Sequence, residues 1–317
     1  MRKAFLYASV LLVAILPSCV KETVQQNAQS DGKVKVTLDI SVDPVLLAEE
    51  TATKAVSPLD PHAENPIKNL WVIQYNEMGE RCSVNYWEAV NPVIAKRDYM
   101  VDLEDRPVST IVVLANFGDI TDNGAKDGDH YTYVWPGALG VLRTGRLATD
   151  MSLSLDRDNG HNPSNIFMVG QTTLTSAEIA SAQHINVILS RLVAKIAVNI
   201  RQEKTAGGYQ FKNLSLKILN SVKGIVPFPD DNTSSAGYLY DYVGENIPDD
   251  QFTEDGVTRY YYVNENLDED NPTKLSVSVR GKGDNELRTR IYPINSYKQV
   301  FRNTYYTLDI TVAGNGG

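Results

Sequence analysis

Cysteine is nearly absent from this 317-residue chain, which carries only Cys19 and Cys82. A framework of several disulfides is therefore excluded, and stability has to come from burial. Histidine is also sparse. His62, His130, His161 and His184 are scattered, and none lies within four residues of another or of a cysteine at a zinc-ligand spacing. A metal hydrolase finds no support in that pattern. No apolar run reaches the about 20 residues a helix needs to cross a bilayer. No cluster of Lys or Arg stands anywhere, and the formal charge is −9. That argues against nucleic acid as a partner and against adhesion to anionic lipid by charge. Also missing are a Gly-x-Ser-x-Gly elbow, a phosphate-cradling Gly-rich loop and a dinucleotide fingerprint. No motif thus marks a catalytic group, a metal site or a cofactor. Cys82 would be a nucleophile only with a histidine brought to it by folding, and it reads as a buried, inert thiol. A glycosidase pair needs two carboxylates about 5 to 9.5 Å apart, a geometry that sequence does not reveal.

What is present begins at the N-terminus. Arg2-Lys3 precedes an apolar stretch over residues 4–16, which breaks at Pro17-Ser18-Cys19. This is the order of a secretory signal peptide. Its subtype is set by Leu16-Pro17-Ser18-Cys19, which resembles the bacterial lipobox, where the cysteine receives diacylglycerol and the peptide before it is removed. The alternative is an ordinary signal peptide that contains a cysteine. Removing residues 1–18 takes Arg2 and Lys3 with it, leaving 299 residues and a formal charge of −11. Lipidation would consume Cys19 and leave Cys82 without a partner. Each buried methylene contributes about 0.8 kcal/mol, so two or three acyl chains hold a protein on the outer membrane without a spanning helix. Lys21-Glu22 directly after the cysteine hints at export to the cell surface.

Seventeen tyrosines, abundant Val and Thr and few long helical patterns favour β structure. The clearest strand covers residues 34–42, where Val34, Val36, Leu38, Ile40 and Val42 alternate with polar residues without a fault. Further runs are expected at 70–75, 110–115, 151–155, 185–200, 211–219, 260–263, 274–279 and 305–312. Turn-favouring clusters such as Asp122-Asn123-Gly124 separate many of them. Spaced strands without intervening helices indicate an all-β chain of two tandem β-sandwich domains. One short helix is expected over 175–182, where Thr175 and Glu178 have capping-box spacing. The organisation expected is a signal peptide over 1–18, a lipidated flexible tether over 19–33, and sandwiches over 34–183 and 184–317.

The acidic stretches 119–129, 156–160 and 264–271 could hold calcium, which takes six to eight oxygen ligands, or could be solvated turns. Tyr238, Tyr240 and Tyr242, with Tyr260-Tyr261-Tyr262, could form a carbohydrate platform or serve packing and cross-strand pairing.

Several of these segments together resemble the fimbrillin family, the FimA/Mfa-like subunits and anchors of Bacteroidales pili. Residues 67–75, Ile-Lys-Asn-Leu-Trp-Val-Ile-Gln-Tyr, resemble an early core strand of that family. Val112-Val113-Leu114-Ala115-Asn116 and Phe167-Met168-Val169-Gly170 follow in the family's order. Leu189-Ser190-Arg191-Leu192-Val193-Ala194-Lys195-Ile196 is close to its recurrent Leu-x-Arg-Leu-Val-Ala-Lys-Ile strand. Tyr261-Tyr262-Val263-Asn264-Glu265-Asn266 and Val300-Phe301-Arg302-Asn303-Thr304-Tyr305-Tyr306 complete the series.

The resemblance implies two transthyretin-like β-sandwiches and subunits joined by strand exchange. In stalk subunits a trypsin-like protease removes the first strand, and a neighbour's C-terminal strand fills the groove. Thr51-Ala52-Thr53-Lys54-Ala55 resembles the family's maturation site, with the cut after Lys54 and a new start at Ala55. A lysine in a loop is equally well only a lysine. The chain stops at Gly317, directly after its last expected strand, without the donor extension of stalk subunits. The expectation is a non-enzymatic, lipid-anchored base or accessory subunit of a surface fimbrium. A stalk or tip subunit cut after Lys54, a surface glycan-binding lipoprotein and, third, an enzyme remain alternatives.

Overall fold

The computed structural model describes residues 32–44, 46–47, 66–94, 96–117, 126–127, 131–134, 152–155, 166–182, 184–225, 228, 239–283 and 285–313. In chain order the first half supplies β1 (Lys33–Val42), β2 (Leu46–Leu47), β3 (Pro66–Tyr75), β4 (Arg81–Ile94), β5 (Lys96–Glu104), β6 (Val108–Ala115), β7 (Met168–Thr175) and β8 (His184–Arg191). All but β2 join one seven-stranded array in the order β4-β3-β6-β7-β8-β1-β5.

This array folds over itself at β8. Residues 184–189 of that strand pair in parallel with β1, whereas Ser190 and Arg191 pair with Val169 and Met168 of β7. The close approach explains Gly170, because a Cβ there would collide with the Ile188 carbonyl. One core lies between the two halves. Val34, Val36, Leu38 and Ile40 of β1 pack in it with Leu70 and Val72 of β3, Ile111 and Val113 of β6, and Val187 of β8. The other face of β3 and β6 is buried as well, where Trp71, Ile73, Val112 and Leu114 meet Phe117 and Phe167. Burial on both faces is why these strands read as unbroken apolar runs, while β1 alternates.

Asn116 ends β6 in a left-handed conformation, φ 70°. Its side chain accepts from the Lys68 N–H at 2.8 Å and donates to the Pro66 and Ile166 carbonyls at 2.9 and 2.8 Å. The Ala-Asn ending of that segment is thus a strand stop that ties β3 to the approach to β7.

The expected short helix is present as α1 (Ser176–Ser181), N-capped by Thr175 with both halves of the capping box formed by Glu178. The run expected over 185–200 is two strands. Leu192 separates them, its N–H donating to the Phe167 carbonyl at 3.0 Å, and the sheet changes at this residue. The strand His184–Arg191 therefore lies in the first array, although residue 184 was the expected start of the second sandwich.

The second half contributes β9 (Val193–Gln202), β10 (Phe211–Leu219), β11 (Glu245–Ile247), β12 (Val257–Asn264), β13 (Lys274–Gly281), β14 (Leu287–Pro293) and β15 (Thr304–Val312). Two four-stranded sheets result, β2-β15-β9-β12 and β11-β10-β13-β14. Ala194, Ile196, Val198 and Ile200 of β9 face Leu214, Leu216 and Ile218 of β10 and Leu275, Val277 and Val279 of β13 across the second core. The chain is all-β, built of sandwiches as its alternation predicts.

Candidate functional site

The site starts from β1, since a strand that the resemblance would make separable is here an interior one. It lies between β5, antiparallel over nine residue pairs from Lys33↔Glu104 to Ser41↔Lys96, and β8, parallel from Thr37↔His184 to Val42↔Leu189. Val34, Val36, Leu38 and Ile40 are buried, the last two completely, and Val42 is half-buried at the strand's end. At about 1.5–3 kcal/mol for each fully buried aliphatic side chain, the four contribute roughly 6–12 kcal/mol. That equals the net stability of an ordinary domain, about 5–15 kcal/mol. An empty groove between β5 and β8 would also leave two rows of backbone groups unpaired.

Where β1 ends, a buried polar joint receives it. The Asp43 N–H donates to the Leu189 carbonyl at 2.7 Å, as the last rung against β8. Arg191 Nη1 donates to the Asp43 carbonyl at 2.8 Å and to Asn303 Oδ1 at 2.7 Å. Asn303 Nδ2 in turn donates to the Pro44 carbonyl at 3.0 Å and to Asp43 Oδ2 at 3.2 Å. The Asn303 backbone N–H reaches the Val193 carbonyl at 2.8 Å. Arg191 is 6% exposed and Asn303 4%, so both are desolvated groups that need these partners. Beyond the joint, Leu46 and Leu47 pair in parallel with Thr304 and Tyr305 at the edge of β15. The N-terminal segment therefore completes the first array and then adds to the second.

Two of the segments that carry the family resemblance meet beside the joint. Arg302 donates through its backbone N–H, Nε and Nη2 to the Glu265 carboxylate at 3.2, 3.1 and 2.8 Å, and the backbones of Asn266 and Val300 bridge. Lys195, four residues after Arg191, lies with Nζ 4.4, 5.6 and 5.7 Å from the ring centroids of Tyr260, Tyr262 and Tyr305, an arrangement of cation–π contacts.

The other expected residues have plainer surroundings. Cys19, Lys54, Ala55, His62, His130, His161 and Tyr238 lie outside the described residues. His184 Nδ1 sits 3.2 Å from Asp39, across the β1–β8 pair. Cys82 is half-buried on β4, and burial pushes its thiol pKa up, which opposes thiolate formation. In the 264–271 stretch, Asp268 accepts from the Asp270 and Asn271 N–H groups and from Asn271 Nδ2. Those bonds, the Asn271 side chain first, hold its carboxyl below the usual range. The oxygens are engaged in an Asx turn of the loop itself. The acidic stretches at 119–129 and 156–160 fall almost wholly outside the described residues. Among the described residues no three His, Cys, Asp or Glu side chains gather in a metal-binding group. Tyr242 is buried with its hydroxyl donating to the Tyr262 carbonyl at 2.8 Å, and its ring lies 5.4 Å from that of Tyr240. Those two tyrosines pack and offer no sugar-facing platform.

No family model matches the sequence, and no curated protein matches it. Solved structures do share its fold. A cell-adhesion candidate from Parabacteroides distasonis superposes with a TM-score of 0.62 at 17% identity, covering 89% of each chain. The tip fimbrial protein Mfa3 from Porphyromonas gingivalis gives 0.56 at 13% identity, over 89% of this chain and 96% of that one. Fimbrilin from Porphyromonas gingivalis gives 0.56 at 12% identity, over 88% and 90%. Agreement across nearly the whole length of each partner, in chains of such different sequence, places the tandem β-sandwich described above among the fimbrillin and Mfa-like folds of Bacteroidales.

Proposed function

We propose that the chain is a non-enzymatic structural component of a cell-surface pilus, held at the outer membrane by lipid on Cys19 and joined to other pilus subunits by β-strand complementation. In its finer form the reading makes it a base or accessory subunit that keeps its N-terminal strand. The observation that carries the reading is the placement of β1. It is an N-terminal strand ahead of Lys54, yet it supplies four core residues and fills a slot between β5 and β8. A slot of that kind binds any extended chain that offers backbone partners on both sides and an apolar side chain at every second residue. The pilus-related role draws support from the fold shared with a tip fimbrial protein and a fimbrilin. Lipid attachment draws its support from the order of residues 1–19.

The test is mass-spectrometric mapping of the N-terminus in protein recovered from sheared, intact pili. An acylated Cys19 is the expected start. A start at Ala55 would sink the anchor form and favour a stalk or tip subunit cut after Lys54. Absence from pili altogether, with the chain recovered in another surface complex, would overturn the pilus role.

A further inference from the structure

We infer that Arg191 and Asn303 read the Asp43-Pro44 stop and so fix the register of the strand that fills the groove between β5 and β8. The need for such a device follows from the sequence of β1. Its inward residues Val34, Val36, Leu38, Ile40 and Val42 are aliphatic and nearly interchangeable. A one-residue slip would turn the apolar face outward, but a two-residue slip keeps it inward and changes the positions of Val36, Leu38 and Ile40 by at most a methylene. Over residues 34–41 the ladders to β5 and β8 discriminate little against such a slip, because they involve backbone alone.

The joint distinguishes the two registers. In a regular strand successive carbonyls point to opposite sides, so a continuing strand offers it only one of them. Here the Asp43 carbonyl goes to Arg191, the next carbonyl, that of Pro44, goes to Asn303, and the Asp43 carboxylate adds a third acceptor. That convergence needs the chain to leave the strand at this point. Proline secures it, since it has no N–H to continue the ladder and holds the residue before it extended. Ser41-Val42 or Val45-Leu46, which two-residue slips would bring here, supply neither proline nor carboxylate. The Arg191 guanidinium and the Asn303 amide, both buried, would then lose acceptors that water does not replace. Arg191 and Asn303 are positioning residues for the strand. Applied to a strand from another subunit, which rests on the pilus reading above, the inference names the partner's chemistry: alternating apolar residues ending in Asp-Pro or an equivalent acceptor-rich stop.

The test uses the whole mature chain with Cys19→Ser and Cys82→Ser, and it does not depend on pili. Thr37 lies opposite Met100, and Asp102 is the next outward residue of β5. A diagonal pair of this kind is roughly 7–8 Å apart, beyond ordinary disulfide reach, so each disulfide reports one register. In the native-length chain Thr37→Cys links to Met100→Cys and not to Asp102→Cys. Two residues are then inserted between Val42 and Asp43. If the joint holds the stop, the strand is drawn back by two and Thr37→Cys links predominantly to Asp102→Cys. If packing alone sets the register, the insertion bulges and the link to Met100→Cys persists, which overturns the inference. Asn303→Gly, which removes the amide while tolerating the left-handed backbone at φ 52°, provides the second arm in the native-length chain. There the slipped link rises about tenfold, the factor expected for losing a buried hydrogen-bond partner. A slipped fraction unchanged from the parent, whatever happens to the melting temperature, overturns the inference as well.

Discussion

The two halves of the molecule are closed in opposite ways. The first array is completed by β1, from the start of the described chain, set between β5 and β8. The second is completed by β15, from its end, set in parallel beside β9. Among the described residues its core is drawn wholly from beyond 193, whereas the first core takes four buried side chains, with Val42 packed beside them, from before residue 43. A break anywhere between β2 and β3 would therefore separate the first half from part of its core and cost the second half the Leu46–Leu47 edge pair and the two acceptors of Asn303 Nδ2. Dependence on an N-terminal segment is a property of one half and not of the fold as a whole.

The largest way to break this comparison is to lose β1. A chain beginning at Ala55 forfeits roughly 6–12 kcal/mol in the first half by the burial of β1's four core residues. Calorimetry is expected to show the transition of that half abolished and the transition of the second retained. Retention of both would contradict the asymmetry. A milder perturbation is Leu38→Ala, which leaves a cavity at a fully buried position and costs about 2–5 kcal/mol. Its effect belongs to the first transition alone, as denaturant melts followed at separate probes in each half would report.

The mirror experiment lies in the second half. Glu265→Gln leaves Arg302, only 17% exposed at its side chain, facing a neutral amide. Breaking a pair buried to this degree costs on the order of 3 kcal/mol, here confined to the second transition. A shift of the first transition by the same amount would show that the halves melt as one unit.

The smallest effect concerns α1. Thr175→Ala removes the cap and costs about 1 kcal/mol. Hydrogen bonds from the Thr175 backbone and side chain hold the Glu178 carboxyl below its ordinary range. Because the folded pKa is depressed, this stabilisation is complete above the ordinary glutamate pKa and is lost as pH falls through the lower, folded value. The difference between Thr175→Ala and the parent should accordingly shrink in acid, as paired melts at neutral and acidic pH would reveal.

How much of this was legible in the sequence depended on what each strand faces. β1 announced itself because one face is buried and the other wet. β3 and β6 did so through unbroken apolar runs, and α1 through Thr175 and Glu178. By contrast β14, Leu-Arg-Thr-Arg-Ile-Tyr-Pro, is exposed along nearly its whole length as an edge strand and has no apolar period to read. β4, half-buried over residues 82–87, mixes polar and aromatic residues and escaped notice too, as did β5, although its Tyr99, Val101 and Leu103 are buried in alternation with exposed Asp98, Met100 and Asp102. The break at Leu192 was hidden because apolar residues continue on both sides of it, from Leu189 of the first core to Ala194 of the second.

The candidate site divides the same way. Its strand could be found from alternation alone, but its joint could not. Arg191 meets Asp43 across 148 residues and Asn303 across 112, and no local pattern encodes such pairings. The only local signal was a basic residue inside an otherwise apolar run, a place where a charge has to have partners.

The central claim is that the slot between β5 and β8 accepts a strand that need not be continuous with it. It is tested most directly by nicking the folded chain after Lys54 and adding an excess of labelled peptide spanning residues 33–47. The prediction is that the severed N-terminal piece stays seated at first and is then replaced by labelled peptide, with the amides of β5 and β8 protected from hydrogen exchange only while one or the other is bound. Full protection of those amides after the severed piece has been washed away, with no labelled peptide taken up, would contradict it.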